Sequence, residues 1–73
     1  SSKRNANVSF ARQISMYVVR EITQMPMVEI GKEFGGRDHS TVVYAIQQIE
    51  EKSARDPVTK ATVSDIIKNI RDR

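Results

Sequence analysis

Asp38, His39 and Ser40 stand side by side in the stretch FGGRDHSTVVYAI, residues 34–46. They are the side-chain types of a hydrolase's acid, base and nucleophile, so acyl transfer is the first chemistry to test. Spacing excludes it. Consecutive residues at a helix start point about 100° apart, so acid, base and nucleophile cannot line up. The chain has no Cys and a single His, and it shows neither metal-ligand spacing nor a glycine-rich phosphate loop. It is expected not to be an enzyme, and to hold no cofactor or metal of its own.

What these residues can do is recognise by hydrogen bonding. A carboxylate such as Asp38 accepts from the amine of cytosine, His39 and Ser40 donate or accept, and Thr41 adds a methyl group to its hydroxyl. Arg37 immediately precedes them, and a helix start presents unpaired N–H groups that favour a phosphate. Taken singly, each residue has a plainer explanation. Asp38 is an ordinary helix cap, His39 and Arg37 are ordinary surface residues, and Gly35-Gly36 is an ordinary turn.

The elements that must position them follow from periodicity. Residues 1–8 are polar and aperiodic and read as a mobile basic arm, leaving 9–73 as one domain. Phe10, Ile14, Tyr17, Val18, Ile22 and Met25 mark an amphipathic helix with Ser9 as its N-cap. Pro26 ends it. A short helix over 27–34 buries Ile30 and Phe34, and Gly31 inside it predicts close approach by another helix. Gly35-Gly36 supplies left-handed angles for a stop. Asp38 is expected to cap the third helix by accepting from the N–H of Ser40 or Thr41, with Val42, Val43, Ala45, Ile46 and Ile49 as its buried side, to about Arg55. Asp56-Pro57 starts a fourth, striped by Val63, Ile66, Ile67 and Ile70. No strand-like alternation appears. The fold class is all-α, a small helical bundle with an extended basic N-terminal arm.

With 73 residues there is room for one domain. No apolar run reaches the roughly 20 residues of a membrane span, so a soluble, cytoplasmic protein is expected. The chain opens on Ser1-Ser2 rather than Met and is expected to be a segment of a longer protein. Its net charge of +3 is unevenly placed. Residues 1–37 carry six bases and three acids, whereas 38–73 balance six against six. Such one-sided positive charge attracts polyanions. Short helix, three-residue glycine-bearing turn and longer helix are, moreover, the order of a helix-turn-helix, whose second helix enters the major groove of DNA by its N-terminal end. That end holds Asp38, His39, Ser40 and Thr41.

The stretch EIGKEFGGRDHSTV, residues 29–42, resembles the C-terminal DNA-binding domain of DnaA, the bacterial replication initiator. The resemblance runs from about Lys3 to Ile70 and includes ARQIS in the first helix and the Asp-Pro before the last. It implies binding of double-stranded DnaA boxes of TTATnCACA type at the replication origin and some promoters, one domain per box. For the longer protein it implies an ATPase domain that loads ATP, self-assembly through other domains, contact with acidic phospholipid, and a location at the bacterial nucleoid. Carried over by position, Asp38, His39 and Ser40 would read bases, with Thr41 and Arg37 on phosphates. Arg4 would enter the minor groove, Arg12 and Gln13 would hold the backbone, and Arg20 would reach the edge of the major groove. Ser40 stands where the family usually has Thr, Val28 where it has Pro, and Asn5, Ala6 and Asn7 where it is often more basic. The same target class is expected with a different affinity.

Two other functions fit the same helices. One is an interaction module whose basic face docks an acidic protein or anionic lipid, with Met16, Met27 and Tyr44 as apolar anchors. The other is the helix-turn-helix of a transcription repressor.

Overall fold

Pro26 sets the first boundary in the chain. The computed structural model describes residues 2–73, with side chains from Asn5 onward, and α1 (Ser2–Thr23) stops short of this proline. The prolyl ring biases Met25 away from helical angles, and Gln24 turns the chain with a φ of 56°. A left-handed non-glycine residue costs about 1 kcal/mol or more. Arg20 holds this one in place, its Nη1 donating to the carbonyl oxygens of Gln24 at 3.1 Å and Met25 at 2.7 Å. α2 (Met27–Glu33) begins on the Pro26 carbonyl, which accepts from the Ile30 N–H at 3.0 Å.

α3 (His39–Arg55) and α4 (Pro57–Arg71) meet at Asp56. One carboxylate oxygen of Asp56 accepts from the Val58 N–H at 3.1 Å, and the other accepts from the Thr59 hydroxyl at 2.7 Å. The Thr59 hydroxyl foremost, aided by the Val58 amide and Lys52, holds this carboxyl below its ordinary pKa against an opposing effect of desolvation. Pro57 occupies the first turn of α4, where its missing N–H costs nothing.

α3 is the central helix. It packs against each of the other three, while α2 and α4 do not touch. Val42, Ala45, Ile46 and Ile49 are its buried ridge. Met16 of α1 and Ile30 of α2 join Val42, Ala45 and Ile46 in the core, with Tyr17, Val19, Met25, Met27 and Phe34 packed around them. Burying a side chain such as Ile30 completely stabilises the fold by about 1.5–3 kcal/mol. Two polar ties support the packing. Lys52 Nζ sits 4.2 Å above the Phe10 ring, linking α3 to α1, and Arg71 Nη2 donates to the Glu21 carbonyl at 3.2 Å, linking α4 to α1.

Several expectations change. Residues 2–8, expected as an arm, are the first two turns of α1, and Ser9 lies inside that helix rather than capping it. The reason is that periodicity reports burial, not helicity. Residues 5–9 are all exposed, so this part of the helix has no core to face and shows no apolar repeat. Met16 is 1% exposed, a core residue and not a surface anchor, and Met27 is half-buried. Ile70, expected in the buried stripe of α4, is 43% exposed.

Candidate nucleic-acid interface

The turn between α2 and α3 is built around Gly31. Gly35 (φ 87°) and Gly36 (φ 77°) both take left-handed angles, which only glycine adopts freely. Together they fold the chain back so that the Arg37 N–H donates to the Gly31 carbonyl at 2.8 Å. The Arg37 carbonyl oxygen then sits where a Cβ of residue 31 would be, with its carbon 3.1 Å from that point. The close approach expected at Gly31 is therefore real, but it comes from the chain's own turn and not from another helix. Locking α2 to the turn in this way fixes where α3 starts.

At that start, residues 35–41 are all exposed. Asp38 precedes the helix in an extended conformation (φ −62°, ψ 150°), and its backbone carbonyl accepts from the N–H groups of Thr41 at 3.0 Å and Val42 at 3.3 Å. Its carboxylate makes no capping hydrogen bond, contrary to expectation. Accepting through the backbone carbonyl is common to every N-cap, and here the carboxylate has no capping partner beside it. The tip thus carries outward-facing Arg37, Asp38, His39, Ser40 and Thr41 beside N–H groups that side chains leave uncapped.

The other expected contacts are more dispersed. Arg12 and Gln13 are half-buried on α1, one turn before Met16. Arg20 is half-buried as well, and its Nη1 is committed to the α1–α2 connection rather than standing free. The side chain of Arg4 lies outside the described ones. Val28 is 52% exposed on the first turn of α2. Arg20 as a backbone clamp does not follow from the apolar pattern of α1. A cation six residues before a helix-ending proline was the available signal, since the last carbonyls there lack partners.

A short helix locked by a glycine turn to a longer helix, whose exposed polar tip emerges from a buried apolar ridge, defines a helix-turn-helix DNA-binding domain. It is a binding domain and not a catalytic one. The family model described as bacterial dnaA protein helix-turn-helix matches residues 1–49, two thirds of the chain, and the chain belongs to that family. The match spans α1, α2, the turn and α3 as far as Ile49; it stops short of the Ile70 expected from the resemblance, leaving α4 outside it. No solved structure matches the chain. No helix among the described residues is long and apolar enough to cross a membrane.

Proposed function

We propose that this domain binds double-stranded DnaA boxes of TTATnCACA type at the bacterial replication origin, one domain per box, and so positions a longer ATP-loading initiator on origin DNA. One observation carries the proposal: the tip of α3 faces solvent with the Asp38 carboxylate unused in capping. Asp38, His39 and Ser40 can then read base edges in the major groove, while Thr41 and Arg37 take phosphates. Arg12 and Gln13 hold the backbone from α1, and Arg4 enters the adjacent minor groove. Arg20 offers the groove edge only the N–H groups that its clamp leaves over.

The interaction-module alternative loses its footing with Met16 in the core. Of its three anchors, only Tyr44 is exposed. A gel shift comparing a box duplex with a scrambled duplex tests the proposal. Preferential retention of the box is expected, and equal retention of both duplexes, or of neither, refutes it.

A further inference from the structure

Tyr44 is the one aromatic side chain on the outer face of α3, and the contacts above leave it without a role. It is 57% exposed, although it follows the tip by a single turn. At about 100° per residue, Ser40, Tyr44, Gln47 and Glu51 fall within roughly 60° of one another and opposite the buried ridge Val42, Ala45, Ile46 and Ile49. An aromatic ring held so far from the core adds little to stability.

We infer that Tyr44 is a further DNA-contact residue, its phenol hydroxyl donating to a phosphate oxygen on the wall of the groove that receives the tip of α3. The inference rests on the proposal that α3 enters DNA. At about 1.5 Å per residue, Tyr44 lies about 6 Å along the axis from Ser40, within a major groove about 12 Å wide. Glu51 lies about 16 Å along. Glu50 and Glu51 are both exposed, and their charge repels the duplex, so the part of α3 inside the groove ends before them. Tyr44 and Gln47 are therefore the exposed long side chains on the portion that remains, and Tyr44 is the one nearer the tip. The shorter Asp38, His39 and Ser40 suit the base floor, whereas a phenol one turn further back reaches the wall. Tyrosine is among the side chains that position proteins on phosphates. A docking anchor would need apolar company on this face, but its neighbours there are Ser40, Thr41 and Gln47.

Fluorescence anisotropy with the box and scrambled duplexes, at several salt concentrations, tests the inference on Tyr44→Phe and Tyr44→Ala. Tyr44→Phe is expected to weaken both duplexes equally, about three- to tenfold. The salt slope stays unchanged, because a neutral donor releases no counterion. Tyr44→Ala should lose at least as much, and both variants should melt as the parent does. Unchanged affinity in Tyr44→Phe overturns the inference, as does a loss confined to the box, which would make Tyr44 a base reader. Should the parent hold both duplexes equally, box recognition falls, while an equal loss in Tyr44→Phe still upholds the phosphate contact.

Discussion

Replacing Gly31 by alanine sets two effects of known size against each other. Alanine favours a helix interior over glycine by about 1 kcal/mol, so propensity alone predicts a more stable protein. Against this, the new methyl falls on the Arg37 carbonyl oxygen and within 3.1 Å of its carbon. Both atoms are backbone and cannot swing aside. Restoring ordinary separations of about 3.5 Å requires α2 and the turn to part by more than about 1 Å. That stretches the 2.8 Å bond between the Arg37 N–H and the Gly31 carbonyl beyond hydrogen-bonding range. Its loss costs about 1 kcal/mol, and the overpacking costs about 1–3 kcal/mol more. After the propensity gain, a net destabilisation of about 2 kcal/mol remains, equivalent to a fall of roughly 8–16 °C in melting temperature for a domain this size. Thermal and urea unfolding of Gly31→Ala measure it. Gly35→Ala is the control, because nothing lies within 4 Å of its added methyl and only the left-handed conformation is penalised, by about 1–2 kcal/mol. Gly31→Ala melting at or above the parent temperature would refute the lock between α2 and the turn.

Three other outcomes follow from the same geometry. His39→Ala should lower affinity for the box by about 1–3 kcal/mol and leave the scrambled duplex nearly unaffected, as read by competition binding; equal losses on both would mean that His39 does not read bases. Arg12→Ala should weaken every sequence and reduce the salt slope by about 1, which titrations at several salt concentrations detect. For Asp56, the folded-state pKa lies below the unfolded one, so its contribution to stability is present above the ordinary carboxylate pKa and disappears as pH falls through the depressed value. Melting curves of the parent and Asp56→Ala should therefore converge at low pH, and a constant gap between them would show that charge is not what Asp56 contributes.

Much of this domain was legible from residue order. Breakers and caps are local, so Pro26, Gly35-Gly36 and Asp56-Pro57 marked three boundaries that the structure reproduces within a residue or so. Apolar spacing at three and four likewise identified Val42, Ala45, Ile46 and Ile49 as the buried side of α3. The polar cluster at its start was equally visible, because five neighbours in sequence cannot be far apart in space. Where burial is absent the pattern is silent: the exposed first turns of α1 carry no apolar signal and resemble an arm.

Tertiary structure decided which of the marked groups are free to act. Pattern alone could not tell that the Asp38 carboxylate takes no part in capping the start of α3. Nor could it show that Arg20 is partly consumed by two carbonyls, that Met16 is interior, or that Gly31 yields its space to Arg37. The physical reason is the same in each case. Helical propensity and amphipathic spacing are set by neighbours along the chain, whereas a hydrogen-bond partner or a missing Cβ is settled only when distant segments are brought into contact.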